Sequence, residues 1–558
     1  MKRYCARLIF ATALLECCCV VVAQRPSAPA EAAARTIRPE AIRAHMRFLS
    51  DSILQGRYPG TPGYDIAARY IAAELESMGV QPGGANGTWF QPVPVRKAVL
   101  DTEKSSLALI ADGKEQKLVN AQDYVFNADA VRPENNIEAP IVFVGFGITA
   151  PDQNYDDYSG TDVRGKIVLT LYGAPPRFPN TIRAYYSDEA GKEKNAIAHG
   201  AVGRLTTLLP EDWERYPWDS DVPQLEQMFW IKPDGSLQDP FPWGGDANFS
   251  LNGAKLLFKH SPKTLEQVFA SAHANQPQAF PLGWSARVHT VSNHTTLEST
   301  NIIGKLTGSD PVLRNQYVVY TAHVDHLGIC PPIDGDNVCH GTVDNASGTA
   351  YVLEIARAYA SLPRPPRRSI LFVFVTGEEE AFLGSDYFAH FPTVPLDKIA
   401  ADLNLDAAPG LLFPSRDVVA LGSEHSTIVK PVEFAAGRLG YTVSPDPLPE
   451  ENGFIRSDQY SFVLQGVPSV VFFPGGASTK PQVDGVGLVK EYLTTRYHTP
   501  KDSMSQPLDY ESAAGAAGFI FLAGYEIAQH DEAPEWNKND FFGSKFGSKH
   551  QGSAVPQK

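Results

Sequence analysis

The chain has 558 residues, of which 43% are hydrophobic and 20% are charged, values typical of a folded globular protein. A chain of this length exceeds what one ordinary core supports, so the sequence predicts two domains or more. The 48 basic and 63 acidic residues give a net charge of −15, which argues against nucleic acid or an anionic membrane as the main partner.

The first residues have the pattern of a secretory signal peptide, which we predict over residues 1–23. A positive start and an apolar stretch lead to a small-residue cleavage site: Lys2, Arg3 and Arg7, then Val21-Val22-Ala23 before Gln24. Cysteines at 17–19 leave a lipoprotein as the alternative, against which Glu16 counts. No later run is apolar enough to span a bilayer. The pattern predicts export to the periplasm or the extracellular space.

Cleavage would remove four of the six cysteines and leave Cys330 and Cys339. In an exported protein, two cysteines nine positions apart are expected to form a disulfide, with two free thiols as the alternative.

Residues 24–125 begin with two helical patterns, IRAHMRFLSDSIL and YDIAARYIAAELESMGV, separated by the Gly/Pro-rich turn QGRYPGTPG. Residues 126–285 change character: IEAPIVFVGFGI and GKIVLTLYG predict β-strands, and AIAHGAVGRLTTL predicts a short helix followed by a strand. We interpret 126–285 as an inserted β-rich domain.

From 286 to 535 strands and helices alternate, which predicts an α/β fold with a mostly parallel sheet flanked by helices. The predicted strands are STNIIGKL, YVVYTA, ILFVFV and PSVVFF, and the predicted helices are GTAYVLEIARAYASL and SAAGAAGFIFLAGYEIAQ. The polar residues 536–558 predict a flexible tail.

Acidic residues and histidines follow nearly every strand of this region, at the edge where α/β sheets bind ligands. They are His323, Asp325 and His326 after YVVYTA, Asp344 before a helix, Glu378, Glu379 and Glu380 after ILFVFV, Asp406 after IAADLNL, and Tyr497, His498 and Asp502 after PSVVFF and a longer loop. Each has an ordinary structural explanation when taken alone, such as a helix cap at Asp344 or a solvated acidic loop at 378–380. Together they predict a metal site, because unrelated structural uses would not gather at one edge.

Imidazole with carboxylate suits zinc better than calcium or magnesium. Two histidines and three carboxylates make five candidate ligands. Five are too many for one tetrahedral zinc but fit two zinc ions that share a bridging carboxylate.

The chain resembles the co-catalytic di-zinc exopeptidases, which include secreted bacterial aminopeptidases and glutamate carboxypeptidase. The matching motifs are AHVDH, DNASG, GEEEAFLGS, NLDA, SDQYSF with GVPSVVFF, and YHTPKDS, together with the N-terminal stretch GRYPGTPGYDIAARYIAAELESMGV. The stretch VFVGFGITAPDQNYDDYSGTDVRGKIVL resembles a protease-associated domain inserted into the catalytic domain. The resemblance implies the zinc-exopeptidase fold, formed by 24–125 and 286–535.

The resemblance also implies a role for each candidate residue. Asp344 would bridge two Zn²⁺, His323 and Asp406 would complete one site, and Glu379 and His498 the other. Glu378 would be the general base acting with a hydroxide that bridges the ions, and Tyr497 would stabilise the oxyanion. Asp325 would orient His323, and Asp502 would orient His498. Glu380 is expected to be solvated, and His326 to be structural or to line a loop. The disulfide Cys330–Cys339 would shape the mouth of the site.

Three functions fit this ligand set. The first is an aminopeptidase that acts on peptides; the second is a carboxypeptidase or dipeptidase on the same site, with Arg456 among the candidates to grip the substrate. The third is a binding protein of the same fold, like the transferrin receptor, which should have lost ligands. A glutaminyl cyclase is disfavoured by Tyr497 and by the insert. Side-chain preference and oligomeric state stay open.

Overall fold

The computed structural model describes residues 28–218, 225–240, 246–276 and 278–552, so the predicted signal peptide lies outside the described residues. The α-helices among them are α1 Ala28–Ala34, α2 Pro39–Leu49, α3 Pro62–Ser77, α4 Asn180–Ser187, α5 Glu189–Ala198, α6 Pro210–Arg215, α7 Leu251–Leu257, α8 Leu265–His273, α9 Ser347–Ala360, α10 Leu383–His390, α11 Val429–Leu439, α12 Gln459–Leu464, α13 Gly485–Thr495, α14 Tyr510–Gln529 and α15 Phe541–Gly552. None of these described helices has the length and apolar character needed to cross a membrane.

The strands are β1 Gln81–Pro82, β2 Phe90–Leu100, β3 Ser106–Ala111, β4 Lys114–Lys117, β5 Tyr124–Phe126, β6 Glu134–Val144, β7 Thr149–Ala150, β8 Tyr155–Asp156, β9 Ile167–Leu171, β10 Gly203–Thr207, β11 Glu226–Trp230, β12 Ala247–Phe249, β13 Ala279–Leu306, β14 Tyr317–His323, β15 Ile329–Ile333, β16 Asp336–Val338, β17 Ser369–Val375, β18 Ile399–Leu405, β19 Asp417–Leu421, β20 Thr442–Val443 and β21 Ser469–Pro474.

Four parallel strands form the centre of the first sheet, in the order β17, β14, β18, β21. Antiparallel strands extend it on both sides, β13 beside β17 and β19 beside β21. This arrangement confirms the predicted mixed, mostly parallel α/β sheet. Each strand that the sequence predicts in this region is present.

The central strands are buried on both faces, as their near-continuous apolar runs require. In β17, Ile370, Phe372 and Phe374 pack into one core with helices α2, α9 and α14. The alternate residues Leu371 and Val373 face the opposite layer, which includes residues of α10 and α12. The sheet therefore lies between two helical layers, and its strand ends are the places where polar side chains can gather.

A second, β-rich sheet continues from the first through the long strand β13. Residues 292–302 of β13 pair with β2 in the first sheet, whereas residues 279–291 pair with β6 in the second. The second sheet runs in the order β4, β3, β13, β6, β9, β10, β12, β5. The second sheet has its own hydrophobic core, formed by buried residues that lie between Ala98 and Val288 in the sequence. This β-rich sheet begins at β3, before position 126, so it includes strands from outside the predicted 126–285 boundaries.

The prediction of a flexible tail is wrong for residues 541–552, which form helix α15. Phe542 is fully buried and Phe546 is nearly so. Both belong to an aromatic cluster that also contains Phe454 and Tyr185 of α4. Aromatic residues four positions apart lie on one face of a helix. The polar and glycine residues between the two phenylalanines made this apolar helix face difficult to recognise from the sequence pattern.

We predict that Phe542→Ala lowers the free energy of unfolding by about 3–5 kcal/mol, because the fully buried ring would leave a cavity. Chemical denaturation of the purified chain measures the change. Lys538→Ala, at an exposed position just before the helix, is the matched control and should change stability little. An unchanged midpoint for Phe542→Ala would mean that α15 does not pack as described.

Candidate metal centre

The predicted ligands converge at the carboxyl ends of the parallel strands. His323 ends β14, Glu379 follows β17, Asp406 follows β18, Asp344 lies in the segment leading into α9, and His498 follows α13. Parallel strands in register bring their carboxyl ends to one edge, so residues distant in sequence become neighbours there.

The carboxylate of Asp344 lies at the centre of this group. Its Oδ1 atom is 3.2 Å from Nε2 of His323, and its Oδ2 atom is 3.3 Å from Nε2 of His498. Nε2 of His323 is 3.4 Å from Oδ1 of Asp406, and Nε2 of His498 is 3.0 Å from Oε2 of Glu379. Asp344 therefore presents one oxygen to each of two His–carboxylate pairs.

These distances are compatible with zinc binding by these side chains. Ligands about 2.0–2.2 Å from a tetrahedral zinc ion stand about 3.3 Å from one another, close to the separations seen here. Nε2 of His323, of His326 and of His498 is buried and makes no hydrogen bond to any described residue. Two groups of one histidine and two carboxylates share Asp344, namely His323–Asp344–Asp406 and His326–Asp344–Glu379. The donor set suits zinc better than calcium or magnesium.

Glu378 lies beside this group of ligands. Its Oε2 atom is 4.0 Å from Nε2 of His323, and its side chain is 10% exposed. Burial raises the pKa of Glu378 well above its usual value; Asp406 and Glu379 add to the rise, and His323 opposes it. The neighbouring Glu379 behaves differently: burial and Asp344 raise its pKa, but His498 and His326 outweigh them and lower it to about 2. The pKa values of the two adjacent glutamates are thus shifted in opposite directions.

Asp325 joins two of the strand ends. Its carboxylate accepts hydrogen bonds from the backbone N–H groups of Glu378, at 3.3 Å, and Glu379, at 3.4 Å. Its Oδ1 atom is 4.0 Å from Nδ1 of His323. Burial raises the pKa of Asp325 to about 6. The carboxylate of Asp325 is therefore closer to the loop that carries the glutamates than to His323, whose Nδ1 atom lies 3.3 Å from the backbone carbonyl oxygen of Asp325.

Asp502 does not orient His498 in the structure, contrary to the prediction. Its carboxylate instead accepts hydrogen bonds from the backbone N–H groups of Val343, at 3.0 Å, and Asp344, at 3.1 Å. The hydroxyl of Tyr492 also donates to it, at 3.2 Å. Asp502 therefore holds the segment that carries Asp344, because the YHTPKDS loop folds back onto that segment.

The expectation that Glu380 is solvated is also wrong. Glu380 is partly buried, and it lines the cleft with Tyr58 and Glu226. Burial and the nearby carboxylate of Glu226 raise the pKa of Glu380 to about 8. Strand β11 carries Glu226 and comes from a part of the chain far from Glu380 in sequence, so a local pattern could not reveal this contact.

His326 has a closer connection to the centre than the sequence indicated. It is fully buried, and its Nδ1 atom is 2.6 Å from Oε1 of Glu379. One feature of the sequence indicated this contact: His326 comes three residues after His323, so the end of β14 and the loop that follows it carry both imidazoles.

Tyr497 stacks on His498, with ring centroids 3.7 Å apart. Its hydroxyl accepts a hydrogen bond from Nη2 of Arg456 at 3.4 Å. The other guanidinium nitrogen, Nη1, donates to the hydroxyl of Tyr216 and to Glu451 Oε2. Arg456, which the sequence raised as a candidate to bind the substrate, thus connects Tyr497 to Tyr216 and to Glu451.

A cleft of about 1630 Å³ adjoins this centre. Glu379 and His498 are among its lining residues, together with residues of β11 and α5. The predicted disulfide between Cys330 and Cys339 is present, and Cys330 also lines the cleft.

Comparisons with known proteins agree with this geometry. Residues 301–522, which carry all the candidate metal ligands, match the model of Peptidase family M28. The chain is 29% identical over 523 residues, 84% of its length, to Aminopeptidase NAALADL1 of Mus musculus. It is 27% identical over 245 residues, 43% of its length, to Aminopeptidase YwaD of Bacillus subtilis (strain 168). The alignments span 64% and 47% of the two relatives, less than two thirds of each.

The fold is similar to that of an aminopeptidase from Aneurinibacillus sp. strain AM-1. The superposition has a TM-score of 0.53 at 18% identity and covers 90% of this chain and 97% of the other. A likeness at this identity concerns the fold alone.

We predict that zinc binding to the metal-free chain releases protons. Burial lowers the pKa of His498, but Glu379 and Asp344 outweigh burial and raise it to about 10; the pKa of His323 is raised well above its usual value, with Glu378, Asp344 and Asp406 outweighing burial. Both imidazoles are therefore protonated near neutral pH and must lose a proton to bind metal, so zinc affinity should rise with pH.

Isothermal titration calorimetry in buffers of different ionisation enthalpy, at about pH 7.5, measures this proton release. The control is the same titration on chain already saturated with zinc, which should give no binding heat. A binding enthalpy that does not vary with the buffer would contradict the protonation assigned to the two histidines.

Proposed function

We propose that this chain, whose residues 301–522 belong to peptidase family M28, is an exported zinc exopeptidase that removes residues from the amino termini of peptides. One observation carries the proposal: the single carboxylate of Asp344 faces His323 at 3.2 Å through one oxygen and His498 at 3.3 Å through the other. A carboxylate placed in this way can bridge two metal ions.

In this proposal the centre binds two zinc ions. Asp344 would bridge them, His323 and Asp406 would hold one, and Glu379 and His498 would hold the other. When bound, zinc polarises the substrate carbonyl and makes water more acidic. His326 donates to Glu379 and keeps that carboxylate oriented, as the 2.6 Å contact supports.

The chain's own residues then move the protons and stabilise charge. Glu378 takes a proton from the attacking water and delivers it to the leaving amine; its raised pKa suits a group that must hold a proton between the two steps. The hydroxyl of Tyr497 donates to the oxygen that becomes negative, and Arg456 orients that hydroxyl from behind at 3.4 Å.

The choice of the amino terminus rests on the relatives, several of which are named aminopeptidases. A carboxypeptidase or dipeptidase would use the same ligands, so the ligands do not separate these activities. A binding protein without activity should have lost ligands, whereas all five, the base and the tyrosine lie together here.

We further propose that residues 126–285 form a protease-associated insert and that residues 1–23 direct export. The second sheet and the cleft beside it support the first proposal, since the insert supplies one wall of the cleft. The disulfide Cys330–Cys339 supports the second, because structural disulfides persist in oxidising compartments.

We predict that Glu378→Gln lowers kcat by at least about 10²–10⁴-fold while the chain still binds zinc, because the substitution removes a base but no ligand. Metal content by mass spectrometry of the purified variant, together with peptide turnover, separates the two effects. Glu532→Gln, at an exposed position, is the control for the loss of a carboxylate. Loss of bound zinc in Glu378→Gln would show that Glu378 is a ligand and not the base.

We predict that acetylation of the peptide amino terminus blocks hydrolysis and that amidation of the carboxyl terminus does not. Purified chain from Gln24 onward is incubated with a peptide pool in free, acetylated and amidated forms, with and without a chelator, and products are followed by mass spectrometry. Blocking by amidation instead would identify a carboxypeptidase with the same centre. Intact peptides in all three forms, with zinc bound, would favour a binding protein.

A further inference from the structure

Arg57 is an almost fully buried arginine beneath the candidate metal centre, with 1% of its surface exposed. It lies in the Gly/Pro-rich turn of the N-terminal region, far in sequence from every candidate ligand. Gln55, Gly56 and Arg57 all have positive φ angles, of 48°, 69° and 51°. A Cβ at Gly56 would lie 2.4 Å from the carbonyl oxygen of Gly328, so only glycine allows this turn to press against the loop after His326.

The guanidinium group of Arg57 donates hydrogen bonds to four backbone carbonyls. Nε donates to Val324 at 2.7 Å, Nη1 donates to His340 at 2.7 Å and also to Leu49, and Nη2 donates to Gly341 at 3.0 Å. One rigid planar group therefore holds backbone from three separate segments of the chain.

Two of these segments carry candidate ligands. Val324 lies between His323 and Asp325, and Gly341 lies three residues before Asp344. Arg57 thus joins the loop that presents His323 to the segment that presents the bridging carboxylate. Displacing either backbone segment would change the 3.2 Å separation between His323 and Asp344.

The charge of Arg57 also faces the centre. Burial lowers the pKa of its guanidinium to about 10, and the carboxylates of Asp325, Asp344, Asp502 and Glu379 oppose that shift. The group therefore keeps its positive charge near neutral pH. All four of its hydrogen bonds end on carbonyls, so this charge stays available to the surrounding carboxylates without neutralising one of them by direct pairing.

We propose that Arg57 is a positioning residue of the metal centre, which sets the separation between the His323 loop and the Asp344 segment and thereby the affinity and geometry of metal binding. This inference rests on the proposed function, since it assumes that the centre binds zinc. Lysine cannot replace Arg57, because a single ammonium group cannot reach the carbonyls that surround the planar guanidinium group on three sides.

Arg368 provides a matched control. It is also fully buried, and it donates to the carbonyls of Ile527 at 2.9 Å and Asp531 at 3.0 Å and to the side chain of Gln316 at 2.8 Å. These partners lie at the end of α14 and beside the start of β17, at the opposite end of that strand from Glu379. Arg368 thus performs the same kind of backbone bonding without contact to a ligand-bearing loop.

The experiment compares Arg57→Lys and Arg368→Lys in the purified chain. Metal-free protein is titrated with zinc in competition with a chromophoric chelator, and the visible absorption of the cobalt-loaded protein reports ligand geometry. Thermal unfolding with and without zinc separates stability from binding. We expect Arg57→Lys to weaken zinc binding by about 10- to 100-fold and to alter the cobalt spectrum. Arg368→Lys should lower the unfolding temperature but keep wild-type affinity and spectrum.

Three results would overturn the inference: unchanged zinc affinity and cobalt spectrum in Arg57→Lys, equal losses of affinity in both variants, or an Arg57→Lys chain that stays unfolded in saturating zinc while Arg368→Lys folds. In the last case Arg57 would serve the fold and not the centre. If the wild-type chain itself binds no zinc, the proposed function fails instead, so the two failures are distinguishable.

Discussion

Buried negative charge at one edge of the first sheet is the constraint on which this structure depends. Asp344, Glu378, Glu379 and Asp406 lie within a few ångströms of two imidazoles, and each of these carboxylates is about one-tenth exposed or less. Carboxylates packed this closely repel one another, and burial removes the water that would screen them. The fold supplies positive charge from the histidines and from Arg57, and the proposed zinc ions would supply the rest.

The loops that carry these groups are fixed to one another by polar contacts between chain segments. Asp325 accepts hydrogen bonds from the backbone of the glutamate loop, and Asp502 accepts them from the backbone of the Asp344 segment. Arg57 donates to the backbone beside both His323 and Asp344. The segments that carry His323, Asp344 and Glu379 are therefore held by residues from other parts of the chain, and such support fixes the geometry of a site before a metal ion binds.

The β-rich region 126–285 is connected to the centre through shared structure. Strand β13 belongs to both sheets, and residues of α5 and β11 line the cleft. Tyr216 contacts Arg456, which in turn contacts Tyr497. Helix α15 packs aromatic side chains against both Tyr185 of α4 and Phe454. The β-rich region and the C-terminal helix are thus parts of the surroundings of the site.

The sequence by itself predicted the α/β class and a gathering of histidines and carboxylates at one edge of the sheet, because apolar runs mark buried strands and parallel strands end at one edge. The export signal and the two remaining cysteines predicted the disulfide. The family resemblance singled out His323, Asp344, Glu379, Asp406 and His498. The sequence did not reveal the proximity of Glu380 to Glu226, the hydrogen bond from His326 to Glu379, the partners of Asp502, the packing of α15 or the burial of Arg57. Each of these depends on contacts between segments that are distant in sequence, and local periodicity carries no information about which distant segment covers a side chain. The tertiary structure alone decided them, because only three-dimensional packing sets which carbonyl, carboxylate or ring each of these groups meets.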